Sequence, residues 1–159
     1  MKKSNTLLVI ILVSVLLGLD LLLKYLVSSY LTTVNIIDDF FSLTYVLNDG
    51  AAFSLFASKT YLLVLIALLC IFFIIYELKN NLDDRIISIG YSLVLAGLLG
   101  NFIDRLTDGY IIDYLSFKIL ELNFPVFNLA DILIVVGIVI VIIREILKER
   151  GKRYEVRSK

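Results

Sequence analysis

Four long apolar runs, at about 7–27, 59–76, 86–103 and 127–147, are separated by stretches that are polar or mixed. A hydrocarbon core about 30 Å thick takes roughly 20 helical residues to cross, so each run predicts a membrane-spanning helix. Within the first long connection the period changes: Phe41, Leu43, Tyr45 and Leu47 alternate with Ser42, Thr44 and Val46. Period two predicts a strand. Asn48-Asp49-Gly50 then offers turn residues, and 51–56 can return as a second short strand. Gly90, Gly97 and Gly100 in the third run let neighbouring helix backbones approach closely.

Composition agrees with that pattern. Hydrophobic residues make up 60% of the 159-residue chain, against roughly half in an ordinary soluble domain. The runs leave no room for a second domain, so 1–159 reads as a single integral membrane domain. Formal net charge is zero, which favours neither nucleic acid nor an acidic substrate. The distribution of charge is more informative. Lys2 and Lys3 precede the first run, Lys79 and Arg85 flank the second connection, and Arg144, Lys148, Arg150, Lys152, Arg153, Arg157 and Lys159 follow the last. Residues 28–58 contain neither Lys nor Arg. Basic residues near span ends stay in the cytoplasm, which puts both termini and the 77–85 loop there and makes 28–58 and 104–126 the outer loops. The first run is too long for the apolar region of a signal peptide and lacks a small-x-small cleavage site, so it reads as an uncleaved span. The expected architecture is an all-α membrane protein: a four-transmembrane-helix bundle with a small β element on its outer face, placed to grip an extended peptide by strand addition.

Histidine is absent and Cys70 is the sole cysteine. Together these exclude Ser-His-Asp and Cys-His catalysis, histidine-based zinc sites and a disulfide framework. Chemistry must then run on Asp, Glu, Lys, Ser, Thr or Tyr. By this topology Asp20, Lys24, Asn48, Asn101, Asp104, Arg105, Asp113, Asn128 and Asp131 all fall at the outer end. Asp20 and Lys24, four apart, read either as an interfacial ion pair with Lys24 reaching toward the headgroups or as a pair facing into the bundle. Asp104 beside Arg105 reads most simply as a pair capping a helix end. Asp113 stands among Tyr110, Ile111, Ile112, Tyr114 and Leu115, where desolvation raises a carboxylate pKa. Asp131 shares a helix face with Asn128, and a charged Asp inside a span costs about 2–3 kcal/mol unless paired or hydrated. Two such carboxylates can serve as base and acid, sharing one proton. Asn48, Asn101 and Asn128 are candidates for holding the substrate backbone or an oxyanion, and Arg105 for bracing the loops.

DLLLK at 20–24, NDGAAF at 48–53, GNFIDR at 100–105, IIDY at 111–114 and FNLAD at 127–131 resemble, in order, the five motif regions of the bacterial lipoprotein signal peptidases, or signal peptidase II. The resemblance implies a catalytic dyad of Asp113 and Asp131. It also implies supporting roles for Asp20, Lys24, Asn48, Gly50, Asn101, Asp104, Arg105, Asn128 and Ala130. Leu21 departs from it, since that family usually has Gln there. The implied substrate is a prolipoprotein carrying a diacylglyceryl cysteine, cut just before that cysteine by a monomer in the bacterial cytoplasmic membrane, with its site at the extracytoplasmic side. No metal or organic cofactor is implied. Two other readings remain open: an ion-coupled transporter with Asp20 and Asp131 as proton carriers, and a Ser-Lys dyad pairing Ser54 with Lys24 or Lys59.

Overall fold

The computed structural model describes residues 2–30, 32–50, 59–119 and 122–157. Four helices, α1 (Lys2–Tyr30), α2 (Thr60–Asn80), α3 (Arg85–Thr107) and α4 (Leu129–Arg157), carry four strands at one end: β1 (Val34–Ile37), β2 (Phe41–Asn48), β3 (Ile111–Ile119) and β4 (Leu122–Asn123). Helix α3 is central and packs on the other three, most extensively on α4. Its small residues make that possible. A Cβ on Gly97 would meet the Ala130 carbonyl oxygen, and a Cβ on Gly137 would lie 2.9 Å from the Val94 amide nitrogen, so α3 and α4 meet backbone to backbone.

Helices α1, α2 and α3 are each long and apolar enough to cross a membrane. In α4 the uncharged run is residues 132–143, opened by Asp131 and closed by Arg144 and Glu145. Large apolar side chains such as Leu7, Val15, Leu69 and Val135 stay exposed on the bundle surface, as expected where the surroundings are lipid. At the end away from the sheet, Asp84 caps α3 by accepting the Ile86 and Ile87 amides at 3.0 and 3.2 Å. It also pairs with Arg144 at 3.0 Å and Lys148 at 3.1 Å, which ties α3 to α4. Burial raises the Asp84 carboxyl, but these amides and cations outweigh it and hold it at about 2.

The strands form one antiparallel sheet in the order β1-β2-β3-β4. Its extent differs from the predicted ribbon. The expected return strand at 51–56 lies outside the described residues, and the described partners of β2 are β1 and β3. The stretch 104–126, read as an outer loop, contributes β3 and β4. The predicted strict alternation in β2 also breaks. Leu43 pairs with Leu115 but Val46 with Asp113, so β2 has one residue more than β3 across this interval, a β-bulge. Directly paired residues share a face, and the bulge therefore brings Asn48, paired with Ile111, onto the face of Asp113. Strict alternation would have put Leu47 there.

Candidate active site

The site is assembled where the start of α4 meets β3. Tyr114 N and Leu115 N donate to the Phe127 carbonyl at 3.0 and 2.8 Å, and Phe127 N returns a bond to Leu115 O at 3.1 Å. The Phe127 ring stacks on Phe117, which stacks on Phe41. These contacts fix the last residues before α4 against the strand that carries Asp113.

Asn128 is the N-cap of α4. Its Oδ1 accepts the Asp131 N–H at 3.0 Å, while its own N–H donates to Asp131 Oδ2 at 3.2 Å. This is a reciprocal cap at the Asn-x-x-Asp spacing, so Asp131 has a structural task as well as a candidate chemical one. The Asn128 Nδ2 group donates to Asp113 Oδ1 at 2.7 Å, to Asn101 Oδ1 at 3.1 Å and to the Ile112 carbonyl at 3.3 Å. One residue thus bonds to both aspartates. Asn101 Nδ2 donates to Asp131 Oδ1 at 2.8 Å, and Asn48 Nδ2 to Asp113 Oδ2 at 2.8 Å. All four carboxylate oxygens accept an N–H. The three asparagines, candidates for holding substrate, have their amides turned onto the aspartates and onto one another.

Asp113 is 2% exposed. Burial pushes its carboxyl up to about 6, and nearby Asp131 adds to the effect against the lowering influence of Asn48 and Asn128.

Behind the aspartates lies a buried ion cluster. Lys24 Nζ is 2.9 Å from Asp20 Oδ2, 2.9 Å from Asp104 Oδ2 and 2.9 Å from Asn101 Oδ1. Lys24 is 2% and Asp20 0% exposed, so this pair faces into the bundle and not toward the headgroups. Asp104 and Arg105 are not a capping pair: the C-cap of α3 is Asp108, Arg105 turns to Gly50, and Asp104 Oδ2, besides meeting Lys24, accepts the Ile112 N–H at 3.2 Å. Asp20 Oδ1 accepts the Ala130 N–H at 3.0 Å, and its Oδ2 occupies the space that a side chain at Gly100 would fill. Ala130 itself is fully buried against α3. An ammonium engaged by two carboxylates and an amide oxygen has no lone pair to offer, which argues against Lys24 as the base of a Ser-Lys pair; Ser54 lies outside the described residues. Asp20, locked in the same cluster, is poorly placed to ferry protons.

Asp113 and Asp131 line one cleft of about 680 Å³. Its walls include Val46, Leu47, Asn48 and Asp49 on one side and residues 124–127 on the other, and it continues down α4 past Ile134 and Val135. Arg105 also lines it and donates from Nη2 to the Gly50 carbonyl at 2.7 Å, bracing the loop after β2. Tyr114, read from the sequence only as an apolar neighbour of Asp113, is bonded through its hydroxyl to the Leu129 N–H. No local pattern flags it, because its partner is a backbone amide of a distant element.

The family model for signal peptidase (SPase) II matches residues 11–147. The lipoprotein signal peptidase of Enterococcus faecalis is 41% identical over 155 residues, covering 94% of this chain and 95% of that one. That of Halothermothrix orenii is 37% identical over 138 residues, covering 85% and 92%. A solved bacterial membrane enzyme, determined by the in meso method at 2.3 Å, superposes with a TM-score of 0.82 at 27% identity, covering 91% of this chain and 90% of that one. Sequence and fold agree over nearly the whole length, and the chain belongs to the signal peptidase II family, multi-pass membrane hydrolases of the aspartic type.

Proposed function

We propose that this protein removes the signal peptide from prolipoproteins bearing a diacylglyceryl cysteine, cutting the bond just before that cysteine with Asp113 and Asp131 as its catalytic dyad. One observation supports the reading: aspartates from a strand and a helix are bonded by a single residue, Asn128, whose side-chain amide donates to Asp113 and whose backbone N–H donates to Asp131, over one cleft that runs onto the apolar surface of α4. A peptide can lie across the cleft while acyl chains remain in lipid beside Val135, which is 60% exposed. The charge asymmetry of the chain supports cytoplasmic termini and a site at the extracytoplasmic side.

In this mechanism Asp113 begins protonated and Asp131 ionised. Asp131 takes a proton from water as the water oxygen attacks the scissile carbonyl carbon, and Asp113 donates its proton to the carbonyl oxygen. The tetrahedral diol then collapses: a diol proton returns to Asp113, the C–N bond breaks, and the leaving amine takes the proton held by Asp131. Both carboxyls end as they began. The proton on Asp113 is lost as pH rises through about 6, so kcat/KM is expected to decline above that pH, on a limb that Asn48→Ala shifts upward by removing a bond to the ionised form.

Cleavage of two synthetic peptides tests the substrate assignment. Mass spectrometry is expected to find the diacylglyceryl peptide cut before its cysteine and the same peptide without lipid left intact. Equal cutting of both, or cutting at another bond, would overturn it.

A further inference from the structure

We propose that Tyr114 is a positioning residue for the two aspartates: its hydroxyl, reaching from the strand that carries Asp113, seats the first turn of the helix that carries Asp131. The inference rests on reading those aspartates as the dyad. The first N–H groups of an α-helix have no partner within the helix. In α4 they are met from strand β3, from helix α1 and from the cap residue Asn128. The Leu129 N–H donates to the Tyr114 hydroxyl at 3.2 Å, the Ala130 N–H to Asp20 Oδ1 at 3.0 Å, and the Asp131 N–H to Asn128 Oδ1 at 3.0 Å.

The Tyr114 contribution differs from the other two. Carboxylates and carboxamides are common partners for helix N-termini, whereas a phenol must be carried into place by its ring. Tyr114 is 4% exposed and packed with Val27 and Ile112, so packing sets where its oxygen lies. Covalently it is the neighbour of Asp113, and the amide it holds is two residues before Asp131. It therefore ties strand to helix beyond the bonds at Phe127, on the helical side of the cap. Fraying of this turn moves the Asp131 carboxylate relative to Asp113, and a misplacement of about 1 Å between reacting groups can lower a rate by roughly 10²-fold.

The test compares wild type, Tyr114→Phe and a protein carrying 3-fluorotyrosine at 114, each full length in detergent with the lipidated peptide. Phe keeps the ring and its packing but removes the acceptor; fluorination weakens the acceptor without removing it. The expected result for Tyr114→Phe is a kcat roughly ten-fold lower per folded molecule, with KM within about two-fold. Affinity for a hydroxyl-bearing transition-state mimic falls by the same factor, and the fluorinated protein is intermediate in both. A packing role alone would not grade with acceptor strength. Wild-type kcat and mimic affinity in Tyr114→Phe would overturn the assignment, and so would a wild-type kcat in the fluorinated protein if Phe prevented folding. Failure of the dyad reading would appear instead as turnover by Asp113→Asn or Asp131→Asn.

Discussion

Lys24→Met is expected to lose about 3–5 kcal/mol of stability and most activity with it. The ammonium stands between Asp20 and Asp104 at 2.9 Å from each, with almost no access to solvent. Methionine fills similar space but leaves two buried carboxylates facing each other with no cation between them. Breaking a buried pair in this way is far more damaging than never having built one, because the desolvation of the remaining charges is left uncompensated. The loss spreads to the proposed dyad. Asn101 Oδ1 gives up the Lys24 bond, and the same amide holds Asp131 through Nδ2. Unfolding midpoints in detergent read the effect. The triple variant Asp20→Asn, Lys24→Met, Asp104→Asn, which removes all three charges, is expected to regain much of the midpoint without regaining turnover. A Lys24→Met protein as stable as wild type would mean that the cluster does not hold the bundle together.

The parts of this molecule that were legible in the sequence are those set by composition over a long window. The three helices α1, α2 and α3 follow from long, mostly apolar runs, and Gly97 follows from the need of two helix backbones to touch. Asp113 stood out because its neighbours in the chain are large and apolar, which is also why it is buried. Strand β3 was hidden for the same reason: residues 111–114 are all buried, and a strand covered on both faces shows no alternation. Strand β2 did alternate, and the alternation misled about its faces. A single inserted residue between Leu43 and Val46 reverses the parity of everything after it, and no local signal marks that residue. The ion cluster at Lys24 joins residues 77 and 80 positions apart in the chain. Spacing within one helix shows that Asp20 and Lys24 can meet, but not which way they point.

Replacing either aspartate of the proposed dyad with asparagine tests the account most directly. Asparagine matches the carboxylate in shape but can neither take a proton from water nor give one to a carbonyl. The substitution also has a structural consequence, because each carboxylate accepts an N–H at both oxygens. An asparagine at 113 or 131 must turn its NH₂ toward a donor, at about 1–3 kcal/mol, so folding has to be measured beside activity. The measurement is cleavage of the diacylglyceryl peptide by Asp113→Asn and Asp131→Asn, each shown to be folded by its unfolding midpoint. Loss of the acid or base is expected to lower turnover by about 10²–10⁴-fold or more in both variants. Turnover within about ten-fold of wild type by either folded variant would contradict a shared-proton pair at this site.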